Sequence, residues 1–320
     1  MPRRNKVLIT GSSGMLGVDL CHELSRDYDI YGLDIFDRSR GGFNLPYAVK
    51  ETQRYVKCDI TDRQSVSRAI LEIKPDIVIH AAALTDVDGC ERDKKRAYRI
   101  NADGTKNVAL ACKSIGAVLV YISTDFVFDG KKKRPYRESD KTSPLGVYAD
   151  SKLKGEAAVK KVLKKYFILR TSWLYGKNGK NFVDTIVAKA KELGSLKVVD
   201  DQVGSPTYAV DLAKAIGVLV DKCASAQEHK SASYGIYHVS NSGSVSWYEY
   251  AKAIVKLANV RAEVLPISSD ELDRPAKRPA MSTLDNSKFM KFTRYKMRNW
   301  KTALKEYLCR ADFNLPRLNK

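Results

Sequence analysis

Residues 11–17 read GSSGMLG, and they join the apolar run KVLIT (6–10) to MLGVDLCHELSR, a stretch of helical period. Three glycines at this spacing leave the backbone few paths. Gly11 permits a tight turn out of a strand, Gly14 lets main chain approach a ligand closely, and Gly17 lets the next helix lie close on the sheet. The head of that helix presents free N–H groups and a partial positive charge, which suit a pyrophosphate. A glycine motif alone is weak. Its place directly after a buried strand and at the opening of a helix makes this one a dinucleotide-binding turn rather than a plain β–α connection.

The chain continues in the same grammar. DIYGLD, RYVKCD, DIVIHAAA, AVLVYIST and YFILRTS are short apolar runs separated by helical patterns or loops. Strands that are apolar throughout, rather than alternating, suit a parallel sheet covered on both faces. The repeated β–α order predicts an α/β protein with a Rossmann-type doubly wound parallel sheet and a smaller, mixed α/β C-terminal substrate part. After about residue 172 the order is mixed. NFVDTIVAKAKELG, AVDLAKAIGVLVDK and WYEYAKAIVKLA read as helices, LKVVDDQ and YGIYHVS as strands, and SSDELDRPAKRPAMS as a loop too polar for core. The expected division gives residues 1–174 plus about 205–240 to an NAD(P)-binding domain. About 175–204 and 241–320 then form the substrate-binding domain.

Composition removes several function classes. No apolar run in the 320 residues reaches membrane-spanning length, and the apolar stretch after the basic start MPRRNK is too short for a signal peptide, so the expected location is cytoplasmic. Cys21, Cys58, Cys90, Cys112, Cys223 and Cys309 are scattered without a C-x-x-C pair, and His22, His80, His229 and His238 show no ligand spacing. Reduced thiols and no metal site are expected. The net charge of +19 gathers in GKKKRPYR, VKKVLKKY and the run from Lys277 to Lys301. Nucleic-acid binding is one reading of such charge. A solvated lysine-rich surface is the favoured one, and some cations could also meet phosphates of a nucleotide-linked substrate.

Asp34 ends the second strand, 23 residues after Gly11. A carboxylate there can accept both adenosine ribose hydroxyls and would repel a 2′-phosphate, whereas Arg38 could pair with one. The choice between NADH and NADPH stays open. Asp59, after the third strand, either meets an adenine amino group or caps the next helix. In VYADSK, a helix from Val147 puts Tyr148 and Lys152 on one face, one turn apart. A phenol with its ordinary pKa near 10 exchanges protons poorly at neutral pH. A nearby ammonium favours the phenolate and can also hold nicotinamide ribose hydroxyls. Thr124, with Ser123 beside it, follows the fifth strand, at the sheet edge where ligands bind in such folds.

The glycine turn, the Ser/Thr after strand five and Y-x-x-x-K some twenty residues later resemble the extended short-chain dehydrogenases. More narrowly, GSSGMLG, AAALTDVDGCE, INADGTKNVA, STDFVFDG, PYRESD, YADSKLKGE, RTSWLYG, DQVGSPTY, IYHVSNSGSVSWYEYA and RPAKRPAMSTLDN resemble, in order, the blocks of the dTDP-4-dehydrorhamnose reductase family. They span roughly residues 6 to 288. The resemblance implies hydride delivery from NADPH or NADH to the C4 ketone of dTDP-6-deoxy-L-lyxo-4-hexulose. It implies catalytic roles for Thr124 on the carbonyl oxygen, Tyr148 as proton donor and Lys152 as its assistant. Asp125 would contact sugar hydroxyls, Trp173 would pack on the sugar face, and Phe126 would line the same site. The implied cofactor contacts are Gly11, Ser13, Gly14, Met15, Leu16, Asp34, Asp59, Ile60, Ala81, Ala82, Ala83, Tyr148 and Lys152.

Two positions depart from the family pattern, which usually has tyrosine at Phe126 and often at Leu84. Relatives of the family also serve as non-catalytic regulatory subunits, such as the β subunit of methionine adenosyltransferase, and other members act on other nucleotide sugars or as epimerases. Retention of Thr124, Tyr148 and Lys152 favours activity. Expected partners are a nucleotide-sugar substrate and at most a second copy of the chain in a homodimer, with no nucleic acid and no membrane. Arg274, Lys277 and Arg278 are either surface charge or a clamp for the diphosphate. Trp247 reads as packing, and His238 as a buried hydrogen-bonding residue without chemistry.

Overall fold

In a computed structural model describing residues 4–36, 54–229 and 233–310, the apolar runs become six consecutive parallel strands. They are β1 (Lys6–Thr10), β2 (Asp29–Asp34), β3 (Tyr55–Lys57), β4 (Ile77–His80), β5 (Val118–Thr124) and β6 (Tyr166–Thr171). Four short strands follow: β7 (Leu174–Tyr175), β8 (Ser195–Val199), β9 (Val203–Gly204) and β10 (Thr207–Tyr208). β11 (Gly235–His238), β12 (Val245–Ser246) and β13 (Glu263–Ile267) complete the set. The main sheet runs β11-β6-β5-β4-β1-β2-β3, every pair parallel. The expected doubly wound α/β sheet is therefore present, with the order reversing at β1, where a cleft opens beyond the strand ends.

The continuous apolarity of the strands has a direct cause: both faces are covered. On β1, Val7 and Ile9 pack with Leu16, Leu20 and Leu24 of the helix Met15–Leu24 and with Leu212, Ile216 and Leu219 of the helix Ala209–His229. Leu8 points the other way, into a core with Val66 and Ile70 of the helix Arg63–Ile73, Val108 of Thr105–Ile115 and Val159 of Val147–Val162. Each such buried aliphatic side chain contributes about 1.5–3 kcal/mol over its exposed state. A third core joins the helices Phe182–Leu193, Trp247–Leu257 and Trp300–Arg310 to β8.

The polar loop of residues 268–282 differs from expectation in part. Most of it is exposed, but Ala276 and Ser282 are buried. The reason is backbone pairing: the Val203 N–H donates to the Ala280 carbonyl and the Ser282 N–H to the Val203 carbonyl, which draws the loop's end against β9.

Candidate active site

The glycine turn is forced by its neighbours. Gly11 sits at φ +69°, and a Cβ there would lie 2.7 Å from the Ala82 nitrogen. A Cβ on Gly17 would lie 2.1 Å from the Gly11 carbonyl oxygen, so only glycine lets the helix Met15–Leu24 seat this closely. Gly14 is the N-cap of that helix, and no side chain caps it. The uncapped helix start and the Cβ-free wall fit a dinucleotide pyrophosphate. Asp34 is buried at the end of β2, its Oδ2 accepting the Ser13 N–H at 2.9 Å and its Oδ1 the Ile35 N–H at 2.8 Å.

One cavity is lined by Gly11, Ser13, Gly14, Asp34, Asp59, Ile60, Ala81, Ala82 and Ala83. A second is lined by Gly11, Gly14, Met15, Leu16, Ala81, Ala83, Thr124, Asp125, Phe126, Tyr148, Lys152 and Trp173. The two share the glycine turn and Lys180, so every side chain expected at the site lies along one cleft. Asp59 is not the helix cap: Asp62 accepts the Gln64 and Ser65 N–H groups at the start of Arg63–Ile73, while Asp59 accepts from Thr61 and faces the cavity. Arg38 lies outside the described residues.

Thr124 ends β5 in register with Thr171 of β6, and its hydroxyl donates to Asp125 Oδ1 at 3.1 Å while accepting the Phe126 N–H at 3.2 Å. Burial pushes the Tyr148 phenol well above its ordinary value. The neighbouring Thr124 hydroxyl pulls it back, and the nearby Asp125 pushes it further up. The expected lowering by Lys152 is absent, and the physical reason is where the lysine goes. Its ammonium donates to the Ile122 carbonyl at 2.7 Å and lies 4.2 Å from the centre of the Tyr121 ring. A buried cation takes the nearest carbonyl and π-face, and the phenol is left to burial. Tyr148 thus rests protonated at neutral pH, the state a proton donor needs. Burial pulls Lys152 down to about 7, with Glu156 opposing, and pushes the Asp125 carboxyl up to about 7.

Two tryptophans frame the other side. Trp173 has φ +47° and stacks on Trp247, ring centres 3.4 Å apart and 5° from parallel, with Phe182 behind Trp247. Trp247, expected only to pack, does pack and also lines the cleft, as do Thr85, Lys180, Arg96 and Arg99. Their only signal in sequence is residue type, because the fold brings them from separate segments. Phe126 sets its ring edge-on to Tyr148, 6.1 Å between centres, and Leu84 is held through its backbone by the Asn101 side chain. Arg278 pairs with Asp88 at 2.8 Å, and neither it nor Arg274 nor Lys277 lines either cavity. His238 is buried, its Nδ1 bonded to the Tyr136 carbonyl at 3.0 Å, and burial pulls it down to about 3. Among the described residues, no group of three or more His, Cys, Asp or Glu could hold a metal ion, and no helix is long and apolar enough to cross a membrane.

Residues 5–313 match the family model described as RmlD substrate binding domain. The chain is similar to the spore coat polysaccharide biosynthesis protein SpsK of Bacillus subtilis, 39% identical over 95% of this chain and 96% of that one. It is similar to a dTDP-4-dehydrorhamnose reductase of Streptomyces griseus, 38% identical over 95% and 93% of the two chains. Among solved structures, a dTDP-4-dehydrorhamnose reductase from Bacillus anthracis in complex with NADP superimposes with a TM-score of 0.83. The two are 40% identical, over 96% of this chain and all of that one.

Proposed function

Because the chain belongs to the RmlD substrate binding domain family, we propose that it is an NAD(P)H-dependent sugar-nucleotide reductase, converting dTDP-4-dehydrorhamnose to dTDP-L-rhamnose. The observation that carries this reading is the convergence of Thr124, Tyr148 and Lys152 on the cleft that the glycine turn opens. Bound NAD(P)H supplies the hydride. The glycine turn and the uncapped helix start hold the pyrophosphate, and Asp34 faces the adenosine ribose. Thr124 hydrogen-bonds the C4 carbonyl oxygen, and Tyr148, protonated at rest, gives its proton to the forming alkoxide. Lys152 orients the nicotinamide ribose through hydrogen bonds from its ammonium to the ribose hydroxyls. Asp125 meets sugar hydroxyls, while Trp173 packs on the sugar face.

The division of labour follows the cores. Residues 1–174 with about 205–240 form the cofactor half, a boundary supported by β11 joining the main sheet beside β6. About 175–204 and 241–320 form the substrate half, supported by the separate core around Tyr250 and Leu304. The test is direct: protein, NADPH or NADH and the dTDP-ketosugar are mixed, and the reduced-nicotinamide absorbance is followed. Consumption of the cofactor is expected, with Tyr148→Phe lowering kcat about 10²–10⁴-fold. No consumption with the ketosugar sinks the reading. Tight cofactor binding with no effect of Tyr148→Phe points to a regulatory subunit instead.

A further inference from the structure

Behind the proposed catalytic residues lies a buried charge pair that the reductase reading has not used. Tyr148, Lys152 and Glu156 stand four apart on the helix Val147–Val162 and share one face. Glu156 is fully buried. Its two carboxylate oxygens accept from Arg170 on β6 at 2.8 and 2.7 Å, and its Oε1 also accepts the Ser123 hydroxyl at 2.7 Å. Ser123 separates Ile122, whose carbonyl takes the Lys152 ammonium, from Thr124. One carboxylate therefore ties together the helix that carries Tyr148 and Lys152, the end of β5 that carries Thr124, and β6.

The surroundings of Lys152 make the charge of Glu156 matter. From β5 it meets the Tyr121 ring, on which His80 of β4 stacks. His80 lies between the Thr10 and Thr105 hydroxyls and is held neutral by burial. Tyr148 rests protonated, and Asp125, beyond the end of β5, has its carboxyl raised by burial. Arg170 is a cation already committed to Glu156. Glu156 is the charge that opposes the loss of the Lys152 proton.

We propose that Glu156 is a positioning residue for the reaction: clamped by Arg170 and Ser123, it fixes the Ile122–Thr124 strand end and, one helix turn beyond Lys152, sets a negative charge on the same side of the helix. This rests on the reductase reading, so the test reads cofactor binding, which needs no sugar substrate. The NADPH dissociation constant is measured by fluorescence from pH 5.5 to 9 for wild type, E156D, E156Q and E156Q/R170M. Removal of one member of a buried pair leaves a stranded charge and threatens folding, whereas replacement of both is tolerated, so the double variant carries the test if E156Q does not fold.

In wild type the affinity weakens as the pH rises and Lys152 loses its proton. Without the Glu156 charge that loss moves acidward by about one pH unit or more. At pH 7.5 the constant for E156Q and for the double variant rises about tenfold, while at pH 5.5 it stays within about twofold. E156D keeps the wild-type profile. A merely structural pair predicts instead that the double variant recovers stability and profile together. Wild-type pH dependence in E156Q/R170M overturns the inference, whereas failure of wild type to bind either NADPH or NADH at any pH overturns the reductase reading beneath it.

Discussion

Asp125 is, with Tyr148 and Lys152, one of the side chains in the cleft whose charged form burial strongly disfavours. It is 2% exposed, accepts the Thr124 hydroxyl, and has its carboxyl pushed from the ordinary 3.8 up to about 7, against the pull of the neighbouring Ser282 and Thr124 hydroxyls. The sign follows from linkage. The unfolded chain releases this proton near pH 4, while the folded chain keeps it to about 7, so its contribution to stability is full below pH 4 and gone above 7. Asp125→Asn copies the protonated form at every pH. Its unfolding free energy relative to wild type is expected to change little between pH 3 and 4 and to improve by pH 8. The ceiling on that gain is about 4 kcal/mol, since each pH unit between the unfolded and folded values contributes about 1.4 kcal/mol. Urea melts at both ends measure this, and an equal difference at both would refute it. Tyr148 and Lys152 were legible as a pair because a four-residue spacing places side chains on one helix face whatever surrounds it, and Thr124 was legible because it closes the fifth strand. The direction of Lys152 was not, since the carbonyl it chose belongs to Ile122, 30 residues earlier.

At the scale of elements, the long parallel strands could be read because burial on both faces demands unbroken apolar runs, as in VLVYIST of β5. β7, β9, β10 and β12 have two residues each, too few to show any period, and they form only because tertiary contacts bring their partners alongside. The glycine turn was legible for the opposite reason: its constraint is local and steric. Gly17→Ala tests that constraint alone, because alanine suits a helix better than glycine does. A gain in stability would be expected from propensity. The 2.1 Å approach to the Gly11 carbonyl predicts a loss of about 1–3 kcal/mol, as overpacking costs, with weaker dinucleotide binding as the turn shifts. Thermal melts and an NADPH titration of the variant decide between the two, and an unchanged or raised melting temperature contradicts the steric account.

Across the whole molecule, the sequence did not tell which distant residues meet at the cleft. Trp247 and Lys180 reach it from segments whose own patterns report only helix and loop, and their convergence is a property of how the parts pack. The net charge of +19 is likewise a property of the whole. At the cofactor end the lining cations Lys95, Arg96, Arg99 and Lys180 stand against Asp34, Asp59 and Asp93, four against three, so the cleft itself is nearly balanced. The excess lies elsewhere on the surface and can act on an anionic dinucleotide only at long range. Such a field is screened as the Debye length falls from about 30 Å at 0.01 M salt to about 8 Å at 0.15 M. The association rate of NADPH is therefore expected to drop several-fold over that range while its dissociation rate stays nearly constant, because steering ends once the ligand is seated. Stopped-flow fluorescence separates the two rates. A dissociation rate that climbs with salt as steeply as association falls would mean that cations grip the bound cofactor directly, and the surface charge would then have to be counted as part of the site.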